Sequence, residues 1–292
     1  MVKESQSDTK EPHNLLEEDI HEDLTEVPPE RPATTETPIQ YLIVKNRLYQ
    51  VYDTISDWLI SKQPSSYTEV MRLDRILHDT YNAIPPVLII RPMMQSIMDT
   101  TDVIVRRLFL ALLFHRAQCV LHRKYMVPAR TENCYAYSRT TCIQAALKIL
   151  HYQWVVDQEM QPGGRLHESA WKISLIVKQD FLLATTVLCL DLNNDLSAVS
   201  SAKSPTNTTD GQQRKEIIRA LEGSYQIWQR SSLLSREAKK AAETLRFVLE
   251  KAQKVNAWMG SEVTIPSSVG ATDSLTEPNG MHNPPLMVFS LC

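Results

Sequence analysis

The chain has 292 residues, 43% of them hydrophobic and 22% charged, a length that buries a sizeable interior as one large or two modest domains. Only 7 residues are glycine, and no G-x-G-x-x-G or P-loop pattern occurs, so a turn-rich β architecture and a nucleotide fold both lack support. The formal net charge of -3 is unevenly placed: residues 1–31 carry ten acids against three bases, which leaves the remainder weakly basic, without the concentrated basic face that phosphate binding needs.

Taken in chain order, residues 1–37 read as an acidic extended leader containing Pro28-Pro29 and Pro32. Its spaced apolar residues Leu15, Leu16, Ile20, Leu24 and Val27 suit either a strap lying on a helical body or a contact for an activator-binding partner. Thr37-Pro38 reads as an N-cap followed by proline at the first helical position. From there Tyr41, Leu42, Val44, Leu48, Val51, Tyr52, Ile55, Trp58 and Leu59 recur at spacings of three and four, predicting a helix to about Ser61. Ser66 and Glu69 fit a capping box opening a second helix to about Asn82. Ile84 to Pro92 reads as an apolar extended connection.

The organising stretch is Arg106 to Met126. Leu108 to Phe114 is an unbroken apolar run, continued at Ala117, Val120 and Leu121, so this helix is apolar nearly all round. A membrane span needs roughly 20 apolar residues, and this run stops at His115-Arg116, so a buried central helix is predicted, from about Pro92 to Tyr125 and about 50 Å long. Ser138 to Glu159 predicts a further helix, ended by Pro162-Gly163-Gly164, and Leu166 to Leu192 another. Residues 38–194 form the helical core in this reading. Residues 195–212 read as a polar linker, residues 213–259 as a C-terminal helix pair that joins the core, and residues 260–292 as a mostly disordered tail in which Leu286 to Phe289 can dock. The expected fold class is all-α: a multi-helix domain packed around one long buried central helix; that such a domain is regulatory is implied only by the family resemblance given below.

Several constellations invite a chemical reading. His115, Cys119 and His122, at i, i+4 and i+7, share one helix face and offer three metal-ligand atoms, but three ligands on one helix make a poor tetrahedral site. Satisfied interior polar groups are the favoured reading. Arg106, Arg107, Arg116, Arg123 and Lys124 spread over some five turns and face different directions, which favours salt bridges or solvated ends over a nucleic-acid contact. Asp191, Asn194 and Asp195 resemble the acidic clusters with which all-α isoprenoid synthases hold magnesium, yet the paired Asp-rich motifs are absent, and Asp99 with Asp102 completes no cluster. Cys119, Cys134, Cys142, Cys189 and Cys292 contain no C-x-x-C pair, and buried reduced thiols in cytosol or nucleus are expected. The reading therefore assigns no catalytic, cofactor or metal site, and no membrane association.

Taken together the segments resemble the fungal-specific transcription factor domain, the middle homology region of fungal zinc binuclear cluster transcription factors. The likeness is carried by Asn14-Leu15, Thr37-Pro38 before Tyr41-Leu42-Ile43, Arg47, Leu73-Asp74, Pro85-Pro86, Leu112 to Arg116 and Val120 to Arg123. It continues in Tyr137-Ser138-Arg139 with Cys142 and Ala145-Ala146, in Asp180-Phe181 with Ala184 and Leu188-Cys189-Leu190, and in Ile227-Trp228 with Ser235 to Ala238. It extends over about residues 14 to 255. The family's six-cysteine DNA-binding head has no counterpart in this sequence, so no DNA-binding residue carries over and no direct DNA binding is expected of this chain alone. The resemblance implies a nuclear regulator, without enzymatic activity, acting through protein partners or a small-molecule effector, often beside a biosynthetic gene cluster. A truncated gene model would equally explain the missing head. The alternatives from other classes are an all-α enzyme of a secondary-metabolite pathway and a helical interaction scaffold.

Overall fold

The computed structural model describes residues 10–61, 66–201, 208–233 and 235–261, and among these every regular element is an α-helix or a short 3-10 turn. The predicted cap opens the first helix, α1 (Pro38–Ile60): Thr37 Oγ1 accepts from Gln40 N at 3.0 Å while Pro38 occupies the first turn. The second helix, α2 (Tyr67–Asn82), starts where expected, but the capping box does not form. The Ser66 side chain makes no cap bond, and Glu69 is drawn to Arg72, three residues on, at 2.6 and 2.8 Å.

The central helix is shorter than its apolar pattern suggests. Pro92 heads a 3-10 turn over Met93–Ser96, and α3 (Thr101–His122) begins only after Thr100, whose hydroxyl accepts from Val103 N. Its 22 residues span about 33 Å, not the expected 50 Å. Proline at a first helical position fixes φ but does not oblige the helix to continue, and here a genuine N-cap residue eight positions on takes over.

The all-round apolarity of α3 has a direct cause. One face, with Leu110, Leu113, Phe114, Ala117 and Leu121, closes an apolar cluster with α1, α2 and the Pro86–Leu88 turn. Another face, with Ile104, Leu108, Leu112 and Cys119, belongs to a second cluster filled by α4 (Ala136–Glu159), α5 (Ala170–Ser201), α6 (Thr208–Ser231) and α7 (Arg236–Ser261). A helix serving two interiors keeps only a narrow strip for water, here from the exposed Asp102 through half-buried Val105, Phe109 and Arg116.

The polar linker expected at 195–212 is helical on both flanks. Helix α5 runs to Ser201 and α6 starts at Thr208, with residues 202–207 outside the described set. The physical reason is that Leu192 and Leu196 stay buried while Asn193 Oδ1 and Ser197 Oγ accept from Lys251 Nζ at 2.7 and 3.2 Å, so polar side chains find partners without leaving the helix. The expected tail falls outside the described residues beyond Ser261.

The leader is a strap held at both ends. Asn14 and Leu15 are buried, Arg31 Nε and Nη2 grip Asp19 at 2.6 and 2.7 Å, Arg47 pairs with Glu11, and Arg106 of α3 pairs with Glu36. Ile20, Leu24 and Val27 remain exposed on its outer side. No single described helix is long and apolar enough to cross a membrane. His167–Ser174 and Ile176–Ala198 reach that composition only as a pair, across a 66° bend.

Candidate functional site

The residues weighed as metal ligands part company in three dimensions. His122 Nε2 donates to Asp74 Oδ1 at 3.0 Å, and with that proton placed, its Nδ1 accepts from Ser138 Oγ at 2.9 Å. Cys119 lies against α4, where it and Cys142 each reach the other's backbone carbonyl through sulfur, at 3.8 and 3.7 Å. His115 donates from Nδ1 to Gln118 Oε1 at 2.9 Å, and burial takes its pKa down to about 4, so it is neutral. Among the described residues no group of three or more His, Cys, Asp or Glu could hold a metal ion.

The His122 contacts belong to a longer buried network that ties α2, α3 and α4 together. Tyr67 OH and Ser138 Oγ are 3.0 Å apart, and Tyr137 OH donates to Asp74 Oδ2 at 2.6 Å. On the far side His78 Nδ1 donates to the Asp74 backbone carbonyl at 2.9 Å. Burial works to raise the Asp74 pKa, but the bonds from His122 and Tyr137 outweigh it and hold the carboxyl below its ordinary value. Ser138, His122 and Asp74 stand in the order of a hydrolase triad, yet Ser138 and His122 have no exposed surface, so no substrate reaches the hydroxyl. The network is an anchor between helices.

The acidic cluster is equally occupied. Arg139 grips Asp191 with two bonds of 2.8 and 2.9 Å, Arg130 reaches the same carboxylate at 3.0 Å, and Arg214 holds Asp195 at 2.5 Å. A carboxylate ringed by guanidinium groups is a poor host for a divalent cation. Of the basic residues on the central helix, Arg106, Arg107 and Arg116 are paired with Glu36, Asp99 and Asp180. Cys134 departs from the expected burial: it is exposed, in a short turn ahead of α4, whereas Cys119, Cys142 and Cys189 are buried. Cys292 lies outside the described residues.

What the sequence did not single out is a cleft of about 480 Å³ between α3, the second half of α4 and the 90–96 segment. Ile104, Leu108 and Val156 form its apolar floor, Met93 and Tyr152 its half-buried walls, and Trp154 and Met94 its exposed lip. Its size lies within the range of small-molecule sites, and its mixture of apolar walls with a few polar groups is typical of them. A second, more open groove of about 490 Å³ runs between α1 and α2, floored by Val51 and Leu73 and edged by Arg47 and Arg72. Both of those arginines are already engaged, by Glu11 and Glu69. The sequence signal for the first cleft was the Met93-Met94 pair beside Pro92, which a helical reading of that segment concealed.

Comparison with known proteins fixes the relationship. The chain is 46% identical over 265 residues to the Zn(2)-C6 fungal-type transcription factor pigI of Monascus ruber, an alignment covering 90% of this chain and 32% of that protein. It is 44% identical over 293 aligned positions to the Zn(2)-C6 fungal-type transcription factor mpsB of Macrophomina phaseolina, covering 100% of this chain and 40% of the relative. The chain is homologous to a segment of the fungal Zn(2)-C6 transcription factors.

A third relative, the pyrrolocin cluster transcription factor fsdR of a fungal species, is 37% identical over 85% of this chain. The chain spans only 32–40% of the length of these curated relatives. No family model matches it, and no solved structure does. The expected kinship with fungal zinc-cluster transcription factors and the all-α fold are therefore both established, and the relatives are transcription factors, not enzymes.

Proposed function

We propose that this chain forms the regulatory, middle-homology module of a fungal Zn(2)-C6 transcription factor, acting in the nucleus on the expression of a biosynthetic gene cluster. The observation that carries the reading is the 46% identity across 90% of the chain to a factor of that type, together with relatives named for the pyrrolocin and fusarisetin A clusters. The module has no catalytic role in this proposal. It works through protein partners or a small-molecule effector, and contacts DNA only through whatever DNA-binding segment it acts with. The paired state of Arg106, Arg107 and Arg116 supports the last point, because cations already neutralised release no phosphate counterions on binding a duplex. The α3/α4 cleft supports an effector, since its volume and apolar walls suit a small organic molecule.

The test is genetic. Removal of the codons for α3 from the chromosomal gene is expected to change transcript levels of neighbouring biosynthetic genes. Unchanged transcripts across inducing and non-inducing media would overturn the reading. A mobility-shift titration of the purified chain is expected to show no salt-sensitive association with duplex DNA.

A further inference from the structure

The rim of the α3/α4 cleft carries two exposed cations, Arg91 and Lys148, that form no ion pair among the described residues. Arg91, exposed at the rim, donates one bond to the Pro86 carbonyl at 3.0 Å; it meets no carboxylate at ion-pair distance among the described residues, and only its longer-range field reaches Asp99. Lys148 makes neither a hydrogen bond nor an ion pair among them. Of the other charged groups of the lining, Arg107 is clamped to Asp99 at 2.5 Å and to the Val87 carbonyl at 2.7 Å, while the Glu159 carboxylate accepts from the neutral Arg165 backbone amide at 3.1 Å and keeps its charge, which leaves positive charge in excess over negative. His151, beside Lys148, is neutral, because burial and that cation both lower its pKa. An apolar floor beneath a rim with positive charge in excess suits an apolar ligand that carries an anion.

We propose that the cleft binds a compact, mostly apolar small molecule bearing a single anionic group, such as a carboxylate or an acidic enolate. The apolar body lies on Ile104, Leu108 and Val156, and the anion faces Lys148 and Arg91. A neutral ligand would gain only hydrogen bonds from the rim, without the charge attraction, and a cationic one would be repelled by it. This inference rests on the effector reading above. Its test is direct binding to the purified full chain, so its failure and the failure of the transcriptional reading are separately visible.

Two fluorescent probes of nearly the same shape make the test, anionic 1-anilinonaphthalene-8-sulfonate and neutral N-phenyl-1-naphthylamine. Both are expected to saturate one site, with the anionic probe bound more tightly. Lys148→Glu with Arg91→Glu is expected to weaken the anionic probe at least about tenfold while leaving the neutral probe within about twofold. Val155→Trp, which fills the cleft from α4, is expected to abolish both, with the melting curve of each variant showing that it remains folded. The proposal is overturned by equal affinity for the two probes, by indifference of the anionic probe to the charge reversals, by uptake without saturation, or by binding that survives Val155→Trp.

Discussion

His122 of α3 and Asp74 of α2, 48 residues apart in the chain, are joined by a hydrogen bond of 3.0 Å where neither side chain meets solvent to any extent. The carboxylate also accepts from Tyr137 of α4, so one acid fixes the mutual position of three helices. Removing it leaves the fully buried His122 donor unanswered, a costly state in a low-dielectric interior, and frees the half-exposed Tyr137 hydroxyl.

Asp74→Ala is therefore expected to cost about 3 to 5 kcal/mol of unfolding free energy near neutral pH, measured by urea denaturation. The pH dependence follows from the direction of the shift. The folded-state pKa lies below the ordinary 3.8, so the stabilisation is present above that value and is lost as pH falls through the folded pKa. The deficit of the variant relative to the wild type should shrink in strong acid, and a deficit of constant size would show that the carboxylate charge is not the anchor.

Asp180 behaves in the opposite sense. It is buried on α5, with Arg116 Nε 2.7 Å away as a charge contact and not a directed hydrogen bond, and burial raises its pKa to about 6. Between 3.8 and about 6 the folded state holds a proton that the unfolded chain has released, so stability falls as pH rises through that window. Asp180→Asn should flatten this slope, which amounts to at most about 3 kcal/mol. Parallel stability curves for the variant and the wild type would contradict the assignment.

The turn after α4 turns on two glycines for different reasons. Gly163 sits at φ +87°, where an L side chain is strained but meets nothing, so Gly163→Ala should cost about 1 kcal/mol. A Cβ on Gly164 would lie 2.2 Å from the Glu159 carbonyl oxygen, which is backbone and already accepts from Leu166 N. Gly164→Ala should lower the melting temperature more than Gly163→Ala, and the reverse order would mean that the turn closes differently.

Leu112 is 1% exposed on the central helix, and its truncation to alanine should cost about 2 to 5 kcal/mol. Met98, 95% exposed in the segment before α3, is the control: Met98→Ala should change stability by no more than about 0.5 kcal/mol. Similar effects at the two positions would displace the interior from where α3 puts it.

The sequence by itself determined the helical class, the opening of α1 at Thr37-Pro38 and the burial of the Leu108 to Phe114 run, because apolar periodicity and end-capping are local properties read within one or two turns. It misjudged the start of α3 and the polar C-terminal end of α5, since a proline permits a helix without extending it, and polar residues stay helical when a distant lysine donates to them. Only the tertiary structure decided what the chemistry-bearing side chains do. Whether His122 meets a metal or Asp74, whether Asp191 holds a cation or the two arginines Arg130 and Arg139, and whether Lys148 faces a carboxylate or an open cleft all depend on the register between helices far apart in sequence. That register is set by how two apolar clusters close on either side of α3, and no local pattern encodes it.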